Sequence, residues 1–234
     1  MNAEKVVFTA KDVEFRFKGS KNGLHNFNFC EQGGELIGIM GGSGVGKSTL
    51  LNVLNGNLQP QSGEILINGY NIYTEKEQLN GVIGFVPQDD LLIEELTVYQ
   101  NLYYSAKLCF SNYTEEQINE AVNKVLEDLD LQATANLVVG NPLNKTISGG
   151  QRKRLNIALE LIREPLVMFV DEPTSGLSSM DSEMVMDLLK EQTLKGKLVI
   201  VNIHQPSSVI FKMFDKLLIM DKGGYLVYYG NPID

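Results

Sequence analysis

Glu35-Leu36-Ile37-Gly38-Ile39-Met40-Gly41-Gly42-Ser43-Gly44-Val45-Gly46-Lys47-Ser48-Thr49 is the stretch on which the fold turns. Residues 35–40 form an apolar run that predicts a strand. Gly41 to Ser48 then match the pattern GxxxxGK[ST], and a helical pattern follows over 49–55. The chemistry of such a loop needs these residue types. Glycines let the backbone curl so that successive N–H groups converge on phosphate oxygens, and the following helix adds its positive N-terminal end. Gly41, Gly42, Ser43, Gly44, Val45, Gly46, Lys47, Ser48 and Thr49 are therefore candidate phosphate-binding residues. Lys47 would set an ammonium on the β- and γ-phosphates, and the Ser48 hydroxyl can ligate Mg²⁺. The alternative, a glycine-rich turn that binds nothing, leaves the fixed positions and the flanking elements unexplained.

Outward from this loop, short apolar β-type runs alternate with helical patterns. Candidate strands are 6–8, 13–17, 35–40, 63–67, 82–86, 166–170, 198–203, 216–220 and 225–229. The runs 166–170 and 198–203 are apolar without alternation, as in strands buried on both faces of a parallel sheet. The early strands and the last pair read as antiparallel additions. The stretch 97–139 reads differently. Thr114-Glu115-Glu116-Gln117 has the form of a capping box, and Ile118, Ala121, Val122, Val125, Leu126 and Leu129 follow at helical spacing. Further helices are expected over 151–162 and over 182–195, the second stopped by Gly196. The fold class predicted is α/β: a phosphate-loop NTPase core with a mainly parallel sheet, an antiparallel β addition and an inserted α-helical subdomain. The core takes 1–96 and 140–234, and the helical insert about 97–139.

Val167-Met168-Phe169-Val170-Asp171-Glu172 is an apolar strand ending in two carboxylates. Side chains alternate along a strand, so adjacent acids can take different roles. Asp171 is placed to hold Mg²⁺ through its water shell, and Glu172 to orient or deprotonate an attacking water. An acidic strand-to-loop junction is the alternative; the phosphate loop favours the metal reading, because Mg²⁺ needs a hard anionic partner.

Bulk composition narrows the function classes. The chain has 234 residues, 43% of them hydrophobic, which suits a buried core, and a net charge of −9. A protein gripping a nucleic-acid backbone usually shows a basic face, so nucleic acid is not an expected partner. Cys30 and Cys109 are the only cysteines. They exclude a zinc framework and fit a reduced, cytosolic protein, with a single disulfide as the alternative. The N-terminal residues carry no secretory leader pattern, and no apolar run approaches the ~20 residues that span a bilayer. Work at a membrane would need another segment or chain to cross it.

One further segment makes the reading specific. Ile147-Ser148-Gly149-Gly150-Gln151 resembles the LSGGQ signature of the ATP-binding cassette (ABC) family, with Ile147 for the usual Leu, and lies ahead of Asp171 as in that family. Gln88 in Val86-Pro87-Gln88 resembles the family's Q-loop. His204, after 198–203, resembles its switch histidine, and Phe17 stands where an aromatic often stacks on adenine. Taken alone, these residues read as a helix N-cap turn, a loop glutamine, a structural histidine and a core aromatic. Gly84-Phe85-Val86-Pro87-Gln88-Asp89-Asp90, Ser148-Gly149-Gly150-Gln151-Arg152-Lys153-Arg154, Asp171-Glu172-Pro173-Thr174-Ser175-Gly176-Leu177 and Ile203-His204-Gln205-Pro206-Ser207-Ser208 resemble the G (White-type) subfamily, in which the ATPase precedes the membrane domain on one chain.

The resemblance implies the ATPase of a membrane transporter. It implies ATP and Mg²⁺ as cofactors, with Lys47, Gln88, Glu172 and His204 in catalysis and Ser48, Gln88 and Asp171 at the metal. Phe17 and residues 41–49 would hold the nucleotide, and Ser148, Gly149, Gly150 and Gln151 would close on ATP held by a second cassette, identical or different. A permease on the same or another chain completes the partners, at the cytoplasmic face of the membrane. A soluble cassette ATPase acting on nucleic acid or ribosomes is the alternative, with a low-turnover scaffold and a phosphotransferase as further ones. Two residues depart from the pattern. Ser178 stands where the loop after the carboxylates usually has Asp, with Asp181 three residues on, which leaves communication between two ATP sites open. Gln151 replaces the Glu frequent in the subfamily, a change that carries no functional conclusion. Outside the motifs, His25 reads as a surface residue and Arg152-Lys153-Arg154 as a solvated helix face, with phosphate contact as the minority reading.

Overall fold

The computed structural model describes residues 5–20, 22–141 and 144–232. Met1 to Glu4, which carry part of the reading on a leader, and Ile233–Asp234 lie outside the described residues. In chain order the elements are β1 (Val7–Arg16), β2 (Gly23–Gln32), β3 (Leu36–Gly41), α1 (Lys47–Leu54), β4 (Ser62–Ile67), β5 (Tyr70–Asn71) and β6 (Ile83–Val86). There follow α2 (Val98–Cys109), α3 (Glu115–Asp128), β7 (Gly140–Asn141), β8 (Asn144–Lys145), α4 (Gly149–Leu161) and β9 (Val167–Asp171). The chain continues with α5 (Ser179–Leu194), β10 (Leu198–Asn202), α6 (Ser208–Phe211), β11 (Lys216–Asp221) and β12 (Tyr225–Gly230).

Six strands form the central sheet in the order β12-β11-β3-β10-β9-β6; all neighbours are parallel except β12 on β11. β9 and β10 are buried at every residue, which is why their sequences do not alternate in polarity. Their side chains instead divide between two cores. Val167 and Phe169 point with Ile37, Ile39 and Ile200 toward α1 and the antiparallel sheet. Met168 and Val170 point with Leu36, Val199 and Val201 toward α4 and α5. The second sheet is antiparallel, in the order β2-β1-β4-β5.

Three features differ from the sequence expectation. The runs 6–8 and 13–17 are one strand, β1, broken in register between Ala10 and Val13 where Asp12 sits at φ 50°. Gly63 lies beside that break, and a Cβ there would meet the Asp12 and Lys11 carbonyl oxygens at 2.4 Å. β2 has no counterpart among the expected strands, because His25, Asn26 and Asn28 interrupt its apolar pattern. His25 is not a plain surface residue: it is half-buried and stacks on Tyr225 with ring centroids 3.7 Å apart and planes 7° from parallel.

Two helices, α2 and α3, occupy 98–128, each opened by a full capping box, Thr97/Gln100 and Thr114/Gln117. The chain then returns alongside, with the Val98 N–H donating to Leu137 O (2.9 Å) and Val139 N–H to Leu96 O (2.9 Å). Leu102, Ala106, Ile118, Val122 and Leu126 pack into the same core as α4. Cys30 and Cys109 are free thiols, so the disulfide alternative falls.

Candidate functional site

The phosphate loop is shaped by backbone conformations that favour glycine. Gly41, Gly44 and Gly46 have φ of 152°, 74° and 108°. Gly41 also has no room for a side chain, since a Cβ would lie 2.5 Å from Met220 O. Gly46 caps α1 in the left-handed region with no side-chain cap, so the first N–H groups of that helix are free of protein acceptors at the cap. Lys47 is buried and folds back over the loop, donating to Gly41 O (3.1 Å) and Gly42 O (3.0 Å). Among the described residues it has no carboxylate partner.

Parallel pairing delivers the acids to the same end of the sheet. Asp171 ends β9 opposite Asn202 at the end of β10. Asn202 is fully buried, and its Nδ2 donates to Asp171 Oδ1 (2.5 Å) and to Ser48 Oγ (3.4 Å), while its own Oδ1 has no partner among the described residues. Glu172 adopts φ 43°, and its N–H donates to Asn202 O (3.0 Å). That turn swings its carboxylate to Gln88, whose Nε2 donates to Glu172 Oε2 (3.2 Å). Lys47, Ser48, Asp171, Glu172 and Gln88 thus meet at one end of β3, β9, β10 and β6. Asn202 joins them, and only the strand ending at this site hints at it in the sequence.

Phe17 is 44% exposed, so the reading as a packed core aromatic falls. It lines a cleft of ≈390 Å³ with Asn22, Gly44, Val45, Gly46 and Thr49, closed on the far side by Gly223 and Gly224. Gly224 sits so close to β2 that a Cβ would meet Gly23 O at 1.8 Å. His204 is exposed on a separate cleft of ≈300 Å³ with Thr174, Leu177 and Ser207.

Ser148, exposed, caps α4: its Oγ accepts from the Gln151 N–H (3.1 Å), and Gln151 Oε1 accepts from the Ser148 N–H (2.8 Å). This turn lies beside the loop of Ser178. A Cβ on Gly149 would touch Leu177 at 3.4 Å, and one on Gly150 would meet Asp181 Oδ1 at 2.4 Å. Ser178 caps α5, its Oγ donating to Asp181 Oδ2 (2.7 Å).

The basic run is a correction: Arg152, Lys153 and Arg154 are all buried. They face inward because α4 is enclosed and each finds oxygen acceptors on the loops packed around it: Arg152 and Lys153 on the loop after β6, Arg152 also on Gly140, and Arg154 on the turn after α3. Arg152 donates to Asp90 Oδ2 (2.9 Å) and Gly140 O (2.6 Å), Lys153 to Gln88 O (2.7 Å), and Arg154 to Leu129 O (3.1 Å) and Asp130 O (3.0 Å). Asn156 adds Pro87 O (3.4 Å). Burial lowers the Lys153 ammonium from its ordinary value against the opposing pull of Asp90, Asp89, Asp171 and Glu172.

Comparison with known proteins decides the family. The profile of the family described as "ABC transporter" matches residues 24–175. The chain belongs to the ABC transporter family. A second profile, "ABC-2 type transporter", matches residues 204–233 of this ABC domain. The domain is 40% identical over 217 residues to "ABC transporter G family member 13" of Arabidopsis thaliana, covering 91% of this chain and 31% of that protein. It is 38% identical over 228 residues to "Putative white-brown complex homolog protein 30" of the same plant, covering 94% and 21%. The chain therefore spans a third or less of the length of these relatives. Among solved structures, CbiO1 from Clostridium perfringens, described as part of the ABC transporter complex CbiONQ, matches with a TM-score of 0.85 and 31% identity. That match covers 98% of this ABC domain and 90% of CbiO1. These relatives give no support to a nucleic-acid role. Among the described residues, no helix is long and apolar enough to cross a membrane.

Proposed function

We propose that this ABC domain binds Mg–ATP at the end of β3, hydrolyses it there, and couples the cycle to a membrane permease by pairing with a second cassette. One observation carries the reading: a buried lysine without a carboxylate partner, a free helix N-terminus and two acids converge on a glycine-framed loop. The donor set supports the fit. Phosphate needs amides and a cation, which the loop and Lys47 supply. Mg²⁺ needs oxygen ligands, which Ser48, Gln88 and Asp171 supply, and the unpartnered Asn202 Oδ1 leaves an acceptor for a hydroxyl or a water of its shell.

When bound, Mg²⁺ would neutralise charge on the β- and γ-phosphates. The protein's part is positioning and electrostatics. Lys47 turns from the Gly41 and Gly42 carbonyls toward phosphate. Asn202 holds Asp171 and Ser48 in fixed relation, and Glu172, aimed by its positive φ and by Gln88, prepares the water. Phe17 would stack the base in the cleft closed by Gly224. His204 and the Ser148–Gln151 turn would complete sites across a dimer, His204 toward its own ATP and the turn toward the partner's. Residues 97–139 would act as the helical unit that meets the permease. The longer relatives and the match over residues 204–233 support a membrane partner at the cytoplasmic face.

Glu172→Gln tests this. The variant should bind Mg–ATP, release no phosphate, and double in mass by light scattering at saturating Mg–ATP. A variant that turns over like the parent refutes the assignment of Glu172, and one that stays monomeric when saturated counts against pairing between copies of this chain.

A further inference from the structure

We infer that Lys153 is a positioning residue for hydrolysis: its ammonium holds the backbone of Gln88, and through it the amide that aims Glu172. The inference rests on the function proposed above.

Gln88 follows the short strand β6 and is itself exposed, so its own side chain makes no anchor in the core. Its segment is held from α4 instead. Lys153 Nζ donates to Gln88 O at 2.7 Å, with Asn156 Nδ2 on Pro87 O, Leu91 N–H on Asn156 Oδ1 (3.3 Å) and Arg152 on Asp90 flanking it. Of these, only Lys153 reaches Gln88. It is 5% exposed and makes no carboxylate hydrogen bond among the described residues. A buried ammonium held by one neutral carbonyl forms a strong charge-assisted bond, with nearby acids balancing its charge through space. From Gln88 the path continues by one bond, Nε2 to Glu172 Oε2. Lys153 also lies five residues into the sequence that begins at Ser148, on one continuous helix. A displacement of the Ser148 turn would therefore move the carbonyl clamp on Gln88 as a rigid body. The one hydrogen bond of Lys153 goes to the Gln88 carbonyl, and its effect on turnover passes through Gln88.

The experiment compares the parent chain with Lys153→Met, Gln88→Ala and the double variant. Three quantities are read: kcat for phosphate release, the ATP dissociation constant, and hydrogen exchange of the peptide spanning Pro87 to Leu91 in nucleotide-free protein. The Lys153→Met change should lower kcat roughly 10-fold or more with ATP affinity within about twofold. It should speed exchange in 87–91 with α4 protection unchanged, and in the Gln88→Ala background it should cost little further. Lys153→Arg, which keeps a donor, should recover part of the rate. An unchanged kcat in Lys153→Met, a loss that adds fully to that of Gln88→Ala, or a parallel loss of ATP affinity and α4 protection each overturns the inference. A parent chain that releases no phosphate under any condition would instead sink the proposed function.

Discussion

Replacing Arg154 separates a solvated basic face from a buried one. On the solvated reading, Arg154→Met changes stability by less than about 0.5 kcal/mol. The structure gives a larger figure. Arg154 Nη1 donates to Leu129 O, Asp130 O and Asp130 Oδ2 at 3.0–3.1 Å. The Asp130 side chain is 80% exposed, so its ion pair contributes about 0–1 kcal/mol. The two carbonyl bonds carry a charged donor and are worth roughly 1.5–3 kcal/mol each. Against them stands Arg154 Nε, buried with no partner among the described residues, and Met relieves that cost of about 1–3 kcal/mol. Taken at their mid-values the terms leave a loss of about 3 kcal/mol. With a urea m-value of about 3 kcal/mol/M, the midpoint should fall by roughly 1 M. Arg154→Lys, which retains one donor, should fall by less. Equilibrium urea denaturation followed by far-ultraviolet circular dichroism measures both. A midpoint within about 0.2 M of the parent for Arg154→Met would show that the three bonds contribute nothing and that the enclosed α4 is misread.

Removing the Lys47 ammonium should cost more in ligand than in fold. Saturating Mg–ATP at 100 times its dissociation constant should stabilise the parent by about 2.7 kcal/mol, and that increment should vanish in Lys47→Ala; a retained thermal shift would count against the site. Glu31 gives a pH test. Its carboxyl is pushed up to about 7 by burial first and by the neighbouring Glu35 carboxyl, while Lys216 pulls it down. The folded state then keeps a proton that the unfolded chain, at 4.5, has released. The stability it contributes is present below about 4.5 and lost as pH rises through about 7. Between pH 6 and 8.5 the parent should lose on the order of 1 kcal/mol, and Glu31→Gln should lose most of that slope; identical slopes would contradict the burial argument.

The sequence made the chemistry easier to read than the mechanics. Gly41 to Ser48 and the Asp171-Glu172 pair stood out as candidates because phosphate and metal chemistry favours those residue types and they sit next to one another in the chain, and the fold brings both to one end of the sheet. β9 and β10 were legible because double-sided burial leaves an unmistakable apolar run. Asn202 was not, since its importance lies in reaching Ser48 and Asp171 from another strand. Arg152, Lys153 and Arg154 were misread because most of their acceptors are loop carbonyls 12 to 65 residues away, and carbonyls leave no trace in side-chain composition; only the Asp90 and Asp130 carboxylates are visible there. β2 escaped notice because its outward positions carry His and Asn, whereas α2 lies within the helical stretch expected over 97–139.

Ser148 has a consequence for what can approach α4 from outside. Its oxygen is already occupied by the Gln151 N–H, and the Gln151 oxygen by the Ser148 N–H. The hydroxyl proton and the first-turn amides of Gly149 and Gly150 remain to be shared. A visitor to this corner finds three donors pointing at it, with the Asp181 carboxylate standing close behind Gly150.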